Sequence, residues 1–211
     1  MELDSFLASP RWEILKIISE RPSSPIEIAE KTKTTVSFIS QQLKLLEAAQ
    51  IVSKEKTGAF EKGKPRNLFS ISKDISYSVM LSNGFGEKKS LNLDDYQKSM
   101  LRTWFLENKH LQNILENLLY RVKDVFKDIN AIFVDPKKSN HSIIIFLEDK
   151  KTQQAIEALS KKHEDKVNFE FHSLEEITNL NLSSLFIVHR CPIFLKKSIE
   201  LKGGKKDEEN H

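Results

Sequence analysis

A chain of 211 residues, 39% hydrophobic and 30% charged, has the material for one large core or two small ones, which excludes a wholly disordered or fibrous protein. No apolar run is long enough to span a membrane, the start Met1-Glu2-Leu3-Asp4 is acidic, and Cys191 is the single cysteine; a cytoplasmic protein without internal disulfides is expected. The formal charge of +3 is unevenly spread, because residues 31–73 hold nine Lys or Arg against three Asp or Glu, whereas residues 91–211 hold nineteen of each.

The first predicted helix runs from Pro10 to Glu20, with Ser9 as its N-cap and Trp12, Ile14, Leu15, Ile17 and Ile18 on one broad face. Arg21-Pro22-Ser23-Ser24-Pro25 stops it. A short second helix, Pro25 to Lys31, offers Ile26, Ile28 and Ala29 to a core, and Thr32-Lys33-Thr34-Thr35 makes a turn. The third helix spans Val36 to Ala49, with Phe38, Ile39, Leu43, Leu45 and Leu46 as its apolar residues. Two strands, 51–56 and 66–71, then flank a glycine-containing basic loop. Helix, short helix, longer helix and basic hairpin are the parts of a winged helix-turn-helix in their usual order.

Over residues 8–74 the chain resembles the ArsR-like winged-helix repressors. The likeness rests on Pro25-Ile26-Glu27-Ile28-Ala29, on the run Val36 to Leu46, on the spacing of Ile39, Leu43, Leu46, Ile51 and Val52, and on Gly63-Lys64-Pro65-Arg66. It implies a third helix lying in the major groove of double-stranded DNA, reading with Thr35, Ser37, Ser40 and Gln41 and with Lys44 one turn further on. Gln41 suits bidentate bonding to adenine, and Lys62, Lys64 and Arg66 suit the backbone or the adjacent minor groove. The concentrated positive charge fits phosphate contact. Metal-sensing members of the family use a cysteine-containing motif in this unit. Here the unit has neither cysteine nor histidine, so no metal site and no cofactor are expected.

Ile75 to Leu81 alternates as a strand, Asn83-Gly84 and Gly86 mark a turn, and a linker is expected over 82–93. Asp94 with Gln97 forms a capping box opening a long linking helix. Within it Leu111, Leu115, Leu118, Val122, Val125 and Ile129 recur at intervals of four and three, a heptad-type seam that either pairs with a twin or covers a neighbouring sheet. A homodimer is expected on the separate ground that helix-turn-helix proteins commonly read two half-sites.

Strands are predicted at Ala131–Val134, Ser142–Leu147 and Val167–Phe171, helices at Lys150–Lys162, after Ser173 and at Ser183–His189, and a closing strand at Pro192–Leu195. The predicted organisation is α+β: a winged helix over 1–81, a linker over 82–93, a helix plus small α/β sheet domain over 94–202, and a disordered tail over 203–211. Residues 96–202 resemble the minimal nucleotidyltransferase fold in the order of their elements. The resemblance places that fold's Gly-Ser at Val134-Asp135 and its two metal-binding carboxylates at Ser142 and Ile144, with Glu170 the one acid on the third strand, which implies an inactive copy. His163, His172, His189 and Cys191 are scattered, and no catalytic residue is assigned. The expected function is a sequence-specific DNA-binding regulator, with a C-terminal unit for dimerisation, sensing of an unspecified effector, or partner contact. The alternatives are a nucleotidyltransferase with a nucleic-acid-binding head and a winged-helix protein-interaction module.

Overall fold

The fold is taken from a computed structural model that describes residues 8–56, 67–135, 141–160 and 167–208. The chain divides into two compact units, residues 1–91 and 92–211. Among the described residues no helix is long and apolar enough to cross a membrane.

The N-terminal unit opens with α1 (Arg11–Glu20), α2 (Pro25–Thr32) and α3 (Val36–Ala48). Residues Ile14 and Ile18 of α1, Ile28 and Ala29 of α2, and Ile39, Leu43 and Leu46 of α3 close one buried cluster. The antiparallel strands β1 (Val52–Lys56) and β2 (Asn67–Ile71) add Val52 and Phe69 to it. Backbone bonds in both directions between Ser23 and Phe69, each 3.0 Å, tie β2 to the loop before α2.

Three apolar residues expected inside stand outside: Trp12, Ile26 and Leu45 are all exposed. Each sits at the margin of an apolar stripe, and a helix in a three-helix unit of this size has only one flank covered. Helix α1 starts one residue later than expected, after Pro10, and no side chain caps it.

A second hairpin follows, β3 (Ser76–Ser82) and β4 (Phe85–Leu91), turning at Asn83-Gly84 with Gly84 at φ 78°. The expected linker over 82–93 is therefore largely strand. Backbone pairing with β3 supplies a structure that the polar sequence Glu87-Lys88-Lys89-Ser90 did not suggest. The hairpin belongs to none of the buried clusters, and Val79 is 64% and Leu81 86% exposed.

The C-terminal unit is a four-stranded mixed sheet ordered β7-β6-β5-β8, built from β5 (Ile129–Asp135), β6 (His141–Leu147), β7 (Val167–His172) and β8 (Phe186–Arg190). β6 is antiparallel to β5 and parallel to β7, and β8 is antiparallel to β5. Alternation along β5 sends Ile132 and Val134 to one buried cluster and Ala131 and Phe133 to the other. Both faces are covered, which is why Ser142 to Leu147 reads as an unbroken apolar run.

No single linking helix is present. The stretch is divided into α4 (Asp95–Thr103), α5 (Lys109–Arg121) and a 3-10 turn at Lys123–Asp128. Asn108 accounts for the main break, since its side chain accepts from Leu111 N at 3.0 Å and starts α5 afresh. The heptad seam covers the sheet of its own chain. Leu111, Leu115, Leu118 and Val122 are buried there and Val125 packs against them, so these residues are not a free face for a twin.

Helix α6 (Lys150–Ser160) also covers this face through Ile156, while a 3-10 turn at Leu174–Asn179 and α7 (Pro192–Glu208) cover the other through Leu174, Ile177 and Phe194. Three C-terminal expectations are corrected. Residues 186–190 are strand rather than helix because Phe186, Ile187, His189 and Arg190 pair with β5, and the β-branched Ile187 and Val188 suit that extended form. Pro192 starts a helix instead of a closing strand, since a proline at the first helical position gives up no hydrogen bond. That helix continues to Glu208, across most of the expected disordered tail.

Candidate nucleic-acid interface

Local chemistry sets the angle between α2 and α3. Ser24 caps α2 in a reciprocal box: its backbone N–H donates to Glu27 Oε2 at 2.7 Å, and Glu27 N donates back to Ser24 Oγ at 3.3 Å. Helix α2 ends on Lys33 in the left-handed region, φ 54°. Across the turn Thr34 N donates to Ala29 O at 3.0 Å, and the Thr32 and Thr34 hydroxyls lie 2.9 Å apart. Thr35 then caps α3 by accepting from Phe38 N at 3.2 Å.

The 3.6-residue repeat gives α3 two opposite faces. Ile39, Leu43 and Leu46 are fully buried, whereas Ser37, Gln41 and Lys44, spaced by four and three, form an exposed polar stripe on the other side. Ser40 lies half-buried beside the stripe, and Thr35 stands exposed at its N-terminal end. Thr35 thus has a structural duty besides any contact, because removing an N-cap costs about 1 kcal/mol. Exposed Val36 flanks the stripe and was not singled out from sequence; a lone apolar residue at the first helical position carries no periodic signal. Lys62, Lys64 and Arg66 lie outside the described residues.

A polar stripe on a helix whose back is locked into a three-helix core, preceded by a short helix and a tight turn, defines a helix-turn-helix. Residues 9–54 match the family model described as bacterial regulatory protein, arsR family. That segment is thus similar to the helix-turn-helix of ArsR-type transcriptional regulators, the part by which that class binds DNA. No curated protein matches the chain.

The C-terminal candidates do not assemble into a reactive group. Ser142 and Ile144, at the positions where the nucleotidyltransferase resemblance needs carboxylates, are both buried. Glu170 lies 3.9 Å from His172, whose other nitrogen faces Glu176 at 3.7 Å. His189 is buried, with Nε2 donating to Ile129 O at 3.1 Å and Nδ1 facing Ser99 Oγ at 3.3 Å. Burial holds its pKa below the usual 6.5. With both nitrogens occupied, His189 is not paired with Cys191, whose sulfur instead accepts from Phe194 N at 3.3 Å. His163 lies outside the described residues. Among those described, no group of His, Cys, Asp and Glu could hold a metal ion.

Proposed function

We propose that this protein is a sequence-specific double-stranded DNA-binding transcriptional regulator that acts in the cytoplasm as a homodimer, with the C-terminal unit serving sensing or partner contact rather than catalysis. The observation that carries the reading is the outward stripe Ser37, Gln41 and Lys44 on a helix whose opposite face is buried. Placed in a major groove, Gln41 has the amide pair that matches adenine N6 and N7, and Lys44 supplies charge to a phosphate. The excess of positive charge over residues 31–73 supports this placement. A homodimer fits a reading head that meets two half-sites one helical turn apart, with an interface other than the buried heptad seam.

The test is retention of genomic DNA fragments across a salt series, with sequencing of what is retained. A palindromic site with affinity falling steeply in salt is expected. Gln41→Ala should cost about 1–3 kcal/mol and relax one base position. Lys44→Ala should weaken all sequences alike and flatten the salt slope by about 1. Absence of retention at low salt would overturn the reading. It would favour instead a protein-docking role, to which exposed Val36 and Leu45 beside the stripe would contribute.

A further inference from the structure

The hairpin of β3 and β4 has two edges of opposite character. Its two-residue turn makes Ser82 and Phe85 the closing pair, and hydrogen-bonded pairs alternate with open ones from there. Ser76, Ser78, Met80 and Ser82 therefore direct their backbone groups at β4, whereas Tyr77, Val79 and Leu81 turn their N–H and C=O towards the outer edge. Alternation puts the side chains of these same three residues together on one face. Val79 is 64% and Leu81 86% exposed, and Tyr77 is half-buried. Among the described residues β3 pairs with no strand but β4.

Charge separates the two edges. β3 carries no charged residue, whereas β4 holds Glu87, Lys88 and Lys89 in succession. Lysines on an edge strand discourage pairing with another chain, and β3 has no such guard. Two copies related by a two-fold axis set the residue on the axis against its own counterpart. Full overlap of β4 with its twin would place Lys88 against Lys88, and moving the axis one residue either way would oppose Glu87 to Glu87 or Lys89 to Lys89. Like charges directly opposite are unfavourable. Full overlap of β3 instead places Val79 against Val79, with Tyr77 facing Leu81 of the partner subunit.

We infer that β3 is the pairing edge of a homodimer: a second copy of this chain adds its own β3 antiparallel across a two-fold axis at Val79, giving one sheet ordered β4-β3-β3-β4. The outward backbone groups of Tyr77, Val79 and Leu81 are then satisfied across the axis, since opposed pairs of this kind exchange both N–H···O bonds. Their side chains join those of the twin in one apolar row, with the Tyr77 ring against Leu81 of the partner subunit. On the other face the row through Met80 has Glu87 at one end and Lys89 of the partner subunit at the other, so its charge is balanced. The joined sheet supplies the further strands that an isolated hairpin lacks. This interface rests on the homodimer of the proposed function and supplies the surface where the two copies meet.

Sedimentation of the full-length protein over a concentration series, without DNA, tests the interface. A reversible monomer–dimer equilibrium is expected, since one strand pair with its side chains is small for a protein interface. Val79→Lys and Val79→Glu should each weaken the dimer about tenfold or more, by setting like charges against each other on the axis. A one-to-one mixture of the two variants should regain the dimer, because opposite charges then meet there. Circular dichroism melting checks that each variant folds; should either fail, Leu81→Lys, at the more exposed position, is expected to weaken the dimer likewise and decides. A wild type that stays monomeric at every concentration, folded variants that dimerise as readily as wild type, or a mixture no tighter than either variant alone would overturn the interface. Dimerisation by a protein that retains no DNA keeps the interface and removes the regulator; a monomer that retains a palindromic site does the reverse.

Discussion

Leu115→Ala is expected to destabilise the C-terminal unit by about 2–5 kcal/mol, the range for emptying a well-packed leucine site. Leu115 is fully buried in α5, in the same cluster as Ile132 and Val134 of β5 and Ile143 and Ile145 of β6. The spread within that range depends on how far the neighbours can close over the lost volume, and a sheet held on both faces closes poorly. Urea unfolding followed by circular dichroism checks the value. The same melt separates two roles for the heptad pattern. A core residue lowers the midpoint by the same amount at every protein concentration, whereas a residue between twins changes how steeply the midpoint depends on concentration. An unchanged midpoint would remove Leu115 from the core altogether.

The second large effect is loss of stability of the C-terminal unit in mild acid. His189 stacks at 4.5 Å on Phe126, bonds Ile129 O, and lies near Ser99 and Asp95 of α4 and the Arg102 guanidinium. Burial is the main cause of its lowered pKa, with the Arg102 charge acting in the same direction and the Ile129 bond and Asp95 opposing. The sign follows from linkage. A histidine whose folded pKa is below its unfolded value binds protons more readily when unfolded, so folding is favoured above the unfolded pKa near 6.5. That advantage is lost as the pH falls from there through the folded value. Melting curves between pH 8 and pH 5 should therefore show a falling midpoint below about pH 6.5. His189→Gln should flatten this dependence while lowering the midpoint at neutral pH. Equal acid sensitivity in wild type and variant would assign the effect to other groups.

The parts of the fold that were legible in the sequence are those where local pattern and tertiary partner agree. The two faces of α3 follow from helical spacing alone, and the run Ser142 to Leu147 announced burial on both sides of a strand. The capping box at Asp94 and Gln97 was readable because both partners lie within one turn. At Ser173 a similar box was readable but opens a 3-10 turn, since a cap marks a start and does not set the helix type. What was not legible depends on partners far away in the chain. β8 has only five residues, too few for a periodic signal, and its strand form comes from pairing with β5. The break before α5 was hidden because the apolar spacing continues across Asn108. Of the candidate interface, the polar stripe was visible in sequence. The bond from Arg102 to Val188 O was not, because only the packing of α4 beside β8 brings the two together.

The bare hairpin of β3 and β4 has a practical consequence for handling the protein. Two strands that have, among the described residues, no third strand beside them contribute little to cooperative stability, and neither lends a side chain to a buried cluster described here. The turn at Asn83-Gly84 is exposed, and Gly84 meets no atom where a side chain would begin. Such a loop tip tolerates added sequence. A short epitope or fluorophore tag inserted between Asn83 and Gly84 should leave the melting midpoints of both units unchanged, giving a reporter that spares both cores and the stripe on α3. A drop in either midpoint would show that the hairpin braces the unit concerned.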